Sequence, residues 1–138
     1  PDTVTSHLRR TFSSKDTFAD NQLAVFDYPK AIATIRCNHI DPMGGQRRQF
    51  SITGTEGTFE IRPLEPHPEG RLGLSRPIGG YQKGFQDIVF RKPTGRYDEE
   101  FLDFASVIRG RKHLAWDASH DIATHEAVLR ASGMLYPV

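Results

Sequence analysis

The chain has 138 residues, 37% of them hydrophobic and 10% aromatic, which suits one globular domain and excludes disorder as a description of the whole. Its 18 Lys and Arg against 17 Asp and Glu give a formal net charge of +1, without the positive excess of a general nucleic-acid binder. No apolar run approaches the roughly 18 residues of a membrane span, and no secretory leader pattern is visible. A lone cysteine, Cys37, offers no internal disulfide. We therefore expect a cytoplasmic protein with neither nucleic-acid nor membrane partners.

The first half of the sequence predicts strands. The β-forming residues of Thr3–Phe12 indicate a strand, and the polar residues 13–16 indicate a loop after it. Two apolar runs, Asn21–Tyr28 and Ala31–Ile40, flank Pro29-Lys30 and predict a hairpin. A second hairpin is predicted from Gln46–Thr53 and Thr58–Arg62, since apolar and polar residues alternate on both sides of a turn with two glycines.

The middle of the sequence changes character over residues 63–84, which hold nine of the chain's twenty-one Gly and Pro. This density predicts a long loop, and loops of that length are usually functional or partly disordered. Phe85–Arg91 then returns to a β pattern.

The last third predicts two helices. Tyr97–Arg109 carries an apolar stripe at helical spacing, with acidic residues at its start and Gly110 as its left-handed terminator. A second helix is predicted from about Asp117 to Ser132, with Asp117 as N-cap and Gly133 after its end.

Strands followed by helices indicate the α+β class, as one domain spanning residues 1–138. We expect an open, mostly antiparallel β-sheet with the C-terminal helices packed on one face. Two helices cannot cover both faces of such a sheet, so the other face is free to contact a second copy in a homodimer. That face is expected to carry polar residues among apolar ones, including Arg36, Arg47, Gln49, Glu60 and Arg62.

Three residues are candidates for contacts with a small-molecule substrate. Arg47 could hold an anionic group, or it could be a solvated arginine on the sheet. Trp116 could form a stacking platform, or a hydrophobic staple ahead of the last helix. His125 lies four residues after Asp121, a spacing that suits a base and its orienting carboxylate, or it simply fills a gap in the apolar stripe.

No catalytic, cofactor-binding or metal-binding residue is assigned within this chain. The Gly-x-Gly-x-x-Gly fingerprint of dinucleotide binding is absent from the sequence. The six histidines are scattered, and His120 and His125 are five residues apart, too far around a helix to hold one ion together. Cys37 lies on an apolar strand and is interpreted as a core residue.

The order of these motifs resembles a known family along nearly the whole chain. The residues that carry the resemblance are Asp20–Tyr28, Ala31–Ile35, the hairpin Ile52–Ile61, Tyr97–Phe104, Val107–Gly110 and Glu126–Gly133. Together they look like the C-terminal domain of the Gfo/Idh/MocA family of NAD(P)-dependent oxidoreductases.

The resemblance implies an open sheet with helices on one face, which shapes the substrate pocket and forms the dimer. It also implies an N-terminal Rossmann domain, outside this chain, that binds NAD or NADP, and a substrate such as a sugar, an inositol or a related polyol. The family's Glu-Lys-Pro motif is absent here. Asp121-Ile-Ala-Thr-His125 has the letters of the family's Asp-x-x-x-His pair but lies in the last helix, so no catalytic role is carried over.

Three hypotheses follow. The first is the substrate-binding and dimerisation domain of such an oxidoreductase, not catalytic by itself. The second is a free-standing small-ligand-binding or oligomerisation module in which the 63–84 loop closes over the ligand. The third is an independent acid–base enzyme built on Asp121 and His125.

Overall fold

A computed structural model of the chain describes residues 1–11, 17–65, 68–90, 95 and 97–134. The chain divides into two compact units, one formed by Pro1–Asp41 with Gly95–Val138 (unit 1) and the other by Pro42–Thr94 (unit 2). Each unit contains one open antiparallel sheet, with three strands in unit 1 and four in unit 2. This confirms the α+β class and the antiparallel pairing, although the strands are divided between two sheets. The interpretation of residues 1–138 as a single domain stays a prediction.

The sheet of unit 1 consists of β1 (Thr3–Arg9), β2 (Asn21–Tyr28) and β3 (Ala31–Asn38), in that order. The hairpin around Pro29-Lys30 is confirmed, because Tyr28 pairs with Ala31. β3 ends two residues before the expected Ile40. The loop predicted at 13–16 lies outside the described residues.

A helix packs on part of one face of this sheet. The helix named α3 in chain order (Ala118–Ala131) packs on β1 and β2. Ala24 and Phe26 are buried on β2, and cross-strand pairing places them on the same face as Ser6 and Ile35. α2 (Asp98–Ile108) buries none of its residues. Helical backing on one face is therefore confirmed, and α3 supplies it.

The ends of both helices match the predicted signals. Asp117 is the N-cap of α3, and its side chain accepts a hydrogen bond of 2.9 Å from the backbone N–H of His120. Gly110 and Gly133 follow the C-caps with φ of 67° and 70°, the left-handed conformation that glycine adopts without a steric penalty.

Unit 2 begins with the short helix α1 (Gly44–Arg47) and continues with four strands in sequential order. These strands are β4 (Phe50–Thr53), β5 (Gly57–Ile61), β6 (Gly70–Leu74) and β7 (Gly84–Ile88). The β4–β5 hairpin is confirmed, with Thr53 paired to Thr58. The strand expected from Gln46 is wrong over its first four residues, because the chain turns after Pro42 and the N–H of Gln46 donates to the carbonyl of Met43 at 3.1 Å.

The long loop predicted for residues 63–84 is wrong over Gly70–Leu74, which forms β6 between β5 and β7. The glycines that suggested a loop make room for aromatic rings in the sheet. A Cβ on Gly73 would lie 2.6 Å from a ring carbon of Phe85, and one on Gly70 would lie 2.7 Å from the ring of Phe90. These rings fill the space beside the glycines, an arrangement that stabilises glycine-containing strands.

Candidate functional site

The sheet of unit 2 has one apolar and one polar face. Residues opposite one another in an antiparallel ladder point to the same face, so the pairing registers assign every side chain. We call one side the apolar face, and its large side chains are Phe50, Ile52, Phe59, Ile61, Leu72, Leu74 and Ile88. The opposite face carries a cross-strand row of Ser51, Glu60, Arg71 and Asp87.

The polar face carries charged side chains suited to contact with solvent. The guanidinium of Arg71 lies over the Phe85 ring at 4.5 Å from its centroid, a cation–π contact that covers part of this aromatic ring with a charged group. Glu60 and Asp87 flank Arg71 on the neighbouring strands, which places opposite charges side by side.

Among the described residues of unit 2, no long helix is available to cover the apolar face. The helix of unit 2, α1, has four residues and buries none of them. Phe50 and Ile52 on the edge strand β4 are 48% and 58% exposed. Contiguous apolar surface of this kind on a sheet is typical of a protein–protein interface. It is a candidate functional surface of unit 2.

The turn between β4 and β5 is held by an ion pair next to this surface. Arg76 donates to the Glu56 carboxylate at 2.8 Å, and the Ser75 hydroxyl donates to the Glu56 carbonyl at 3.0 Å. The Arg76 hydrogen bond lowers the pKa of Glu56, desolvation opposes it to a lesser extent, and a hydrogen bond from Ser75 lowers the pKa slightly further. The turn that sets the register of β4 is thus tied to the end of β6.

Arg47 lies in α1, not on a sheet surface. The expectation that it shares one open face with the other named polar residues is wrong. Arg36 belongs to β3 of the other sheet, and Glu60 lies on the polar face of unit 2. Gln49 and Arg62 lie just outside β4 and β5. The free sheet surface is consequently more apolar than the sequence suggested.

Trp116 lies ahead of α3 and stacks on His120, with ring centroids 4.4 Å apart and planes 19° apart. The predicted hydrophobic staple would pair the residue before the N-cap with the fourth helical residue, which is Asp121. Trp116 instead contacts a histidine one position earlier. It also lines an open depression of about 490 Å³ with His113 and Leu114. An exposed indole of this kind is a suitable platform for a sugar ring or another flat, partly apolar ligand.

His125 lies on an exposed side of α3. It lines a second shallow depression, of about 530 Å³, with Asp121, Ile122, Glu126 and Leu129. The Asp121 carboxylate lies 3.7 Å from the Nδ1 of His120. Among the described residues, no hydrogen bond joins Asp121 to His125. Trp116 and His125 therefore line separate depressions of unit 1, and Arg47 belongs to unit 2.

Sequence reasoning missed the buried carboxylate of Asp20. Asp20 is the one charged residue that is buried among the described residues. Its carboxylate accepts hydrogen bonds from the Thr11 hydroxyl at 2.6 Å and from the Thr11 N–H at 3.1 Å. The Asp20 carbonyl also accepts from the N–H of His39 at 2.8 Å. Asp20 thus links the ends of β1 and β3. An acidic residue directly before a strand was the available signal, but its partner lies nine positions away.

Comparisons with known proteins add no relative. No family model, no curated protein and no solved structure matches the chain. In the part of the chain that the structure describes, no helix is long and apolar enough to cross a membrane. Within the same residues, no three His, Cys, Asp or Glu side chains are grouped to hold a metal ion.

Proposed function

We propose that this chain is the C-terminal substrate-binding and dimerisation domain of an NAD(P)-dependent oxidoreductase of the Gfo/Idh/MocA type. In this proposal the substrate is a sugar, an inositol or a similar polyol, and the enzyme is cytoplasmic. A Rossmann domain outside the chain binds NAD or NADP, so the chain is not catalytic by itself.

The apolar face of unit 2 is the observation that carries the proposal. A folded β-sheet that exposes two large side chains of its edge strand, with five more beside them, needs an apolar partner to remove them from water. A second copy of the same sheet is the simplest partner, because homodimers with two-fold symmetry use one surface twice. Two such sheets pack about 10 Å apart with interleaved side chains.

Trp116, His125 and Arg47 are separate candidates for contacts with the substrate. Trp116 offers an apolar ring surface that suits a sugar ring. His125 offers a hydrogen-bond donor, and Arg47 offers a guanidinium that suits an anionic group. The cofactor supplies the hydride chemistry, and residues of this kind supply shape and orientation.

The dimerisation part is tested by comparing two substitutions on neighbouring residues of β4. Ile52→Asp places a charge on the apolar face, and Ser51→Asp places the same charge on the polar face. Sedimentation equilibrium should give a dimer for the unmodified chain and for Ser51→Asp, and a shift towards monomer of at least tenfold in dissociation constant for Ile52→Asp. Far-UV circular dichroism checks that both variants are folded. Equal association of all three proteins overturns this part.

The oxidoreductase part is tested separately. Fluorescence titration of the chain with NADH and NADPH should give no binding at micromolar concentrations, and micromolar affinity would contradict the proposal. The coding sequence upstream of Pro1 should specify about 150–200 further residues, a domain's length, with a strand, Gly-x-Gly-x-x-Gly and a helix in succession. The protein expressed with that segment should oxidise at least one polyol, with NAD or NADP as hydride acceptor.

The alternative is a free-standing small-ligand-binding or oligomerisation module. The ligand-binding form of this alternative needs residues 63–84 as a loop over the ligand. Gly70–Leu74 within that range forms β6, so these residues are paired in the sheet. The oligomerisation form shares the apolar face with the proposal above. The upstream coding sequence separates the two, because a free-standing module needs no Rossmann segment.

A further inference from the structure

α2 presents an apolar stripe that nothing within the described chain covers. We call Phe101, Phe104 and Ile108 the α2 stripe, and these side chains are 71%, 55% and 72% exposed. Their spacing of three and then four residues places them on one side of the helix. Spacings of three and four along one seam are also those of paired helices, in which each side chain packs into the facing helix.

The two ends of α2 carry opposite charges. Asp98, Glu99 and Glu100 occupy its first turn, and Arg109 and Arg111 follow its last turn. Among the described residues, none of these five takes part in an ion pair. Lys112, by contrast, already bonds to Asp103. The helix is therefore an apolar segment with an unpaired acidic end and an unpaired basic end.

We infer that α2 forms an antiparallel pair with α2 of a second copy of this chain. A two-fold axis through the middle of the stripe places the two Phe104 side chains beside each other and Phe101 of one copy beside Ile108 of the other. It also places the acidic first turn of each helix beside the arginines that follow the other helix. The helix dipoles then run in opposite directions, which favours the pairing further. A parallel pair would put acid beside acid and base beside base.

The area of the contact indicates a weak association. The exposed parts of the three side chains amount to about 800 Å² for two copies, taking roughly 200 Å² for each full side chain, below the roughly 1,200 Å² of a stable interface. The α2 pairing by itself should therefore give a weak dimer that forms only at high protein concentration. It does not depend on the proposed function, because it uses α2 and not the apolar face of unit 2.

The experiment uses the full chain with Ile52→Asp, so that association through the apolar face is weakened first. Sedimentation velocity over a concentration series should then give a monomer–dimer equilibrium. Phe104→Asp should weaken this dimer at least tenfold. Leu102→Asp is the matched control, because Leu102 is also exposed but lies about 100° around the helix from Phe101. Circular dichroism checks that the helices are retained.

Charge reversal tests the direction of pairing. Arg109→Glu with Arg111→Glu makes both ends acidic and should weaken the dimer. Adding Asp98→Lys and Glu100→Lys to the same chain reverses both ends, and the dimer should return.

A fully monomeric Ile52→Asp chain, an equal effect of Leu102→Asp, or no recovery on double reversal overturns the inference. Loss of all association with Ile52→Asp alone removes this inference and leaves the proposed function standing. If only the α2 variants weaken association, the dimerisation part of the proposed function fails.

Discussion

The two sheets of this protein differ in what packs on their apolar side chains. In unit 1, α3 packs on β1 and β2. The buried side chains Ala24 and Phe26 lie on β2, the central strand of the sheet. In unit 2, the four-stranded sheet places seven large apolar side chains on one face, but its own helix α1 is too short to cover them. Unit 1 therefore contains its own hydrophobic core. Unit 2 carries an apolar sheet face on which Phe50 and Ile52 are exposed, and the proposed function assigns that face to a second copy.

The largest expected effect comes from removing the core of unit 1. Phe26→Ala deletes the ring of a side chain that is only 8% exposed, and large-to-small substitutions of this kind cost about 3 kcal/mol or more. Urea denaturation, measured at low protein concentration, should show this loss in the free energy of unfolding. Ile52→Ala, on the open face of unit 2, should cost less than about 1 kcal/mol under the same conditions because the side chain is already in water. Equal losses would contradict the difference between the units.

A smaller effect is expected from filling the space that Phe85 occupies. Gly73→Ala adds a Cβ that would lie 2.6 Å from a Phe85 ring carbon, and such overpacking costs about 2 kcal/mol. Amide hydrogen exchange should report faster opening of β6 and β7. Gly54→Ala is the control, because its Cβ would meet nothing within 4 Å. The account fails here if the two variants exchange alike.

The buried Asp20 carboxylate gives the next effect. Thr11→Val keeps the shape of the side chain and removes the hydroxyl that donates to Asp20 at 2.6 Å. Losing one donor to a buried charged group should cost about 1–2 kcal/mol in the free energy of unfolding. Thr5→Val, on an exposed position of β1, should change stability by less than about 0.5 kcal/mol. No difference between the two variants would show that the Thr11 hydroxyl contributes nothing.

The smallest effect concerns pH. The Ser119 hydroxyl and then the His120 N–H donate to Asp117 and lower its pKa from the ordinary 3.8. The pKa of Asp117 is lower in the folded than in the unfolded state, so the ionised carboxylate stabilises the fold. This stabilisation is complete above about pH 4 and is lost as the pH falls through the folded-state pKa. Asp117→Asn keeps an N-cap acceptor that does not titrate. Its helix content, followed by circular dichroism, should decline less between about pH 4 and pH 2. Identical profiles would exclude a role for Asp117 ionisation.

The sequence predicted most of this fold because its signals were local. Alternation in β4 and β5, the Pro29-Lys30 turn, Asp117 as N-cap and the two helix-ending glycines each depend on neighbours a few residues away. β6 was missed because its glycines look like loop residues until Phe85 and Phe90 fill the space beside them. The division into two sheets, the place of Arg47 in α1 and the burial of Asp20 depend on which distant segments meet, and no periodicity encodes that.

The candidate site was predictable only in part. A sheet face without helical cover follows from counting strands against helices, and the described residues of unit 2 contain only the four-residue helix α1 beside their apolar face. Its composition did not follow, because the polar residues assigned to it lie elsewhere. The roles of Arg47, Trp116 and His125 in binding a substrate stay predictions.

Hydroxyl-radical footprinting tests most directly whether the apolar face of unit 2 is an interface. Phe50 lies on that face and Phe85 on the opposite, polar face of the same sheet, and both are exposed in a single chain. As the protein concentration rises, labelling of Phe50 should fall while labelling of Phe85 stays constant. Equal labelling of the two rings at every concentration would contradict the account.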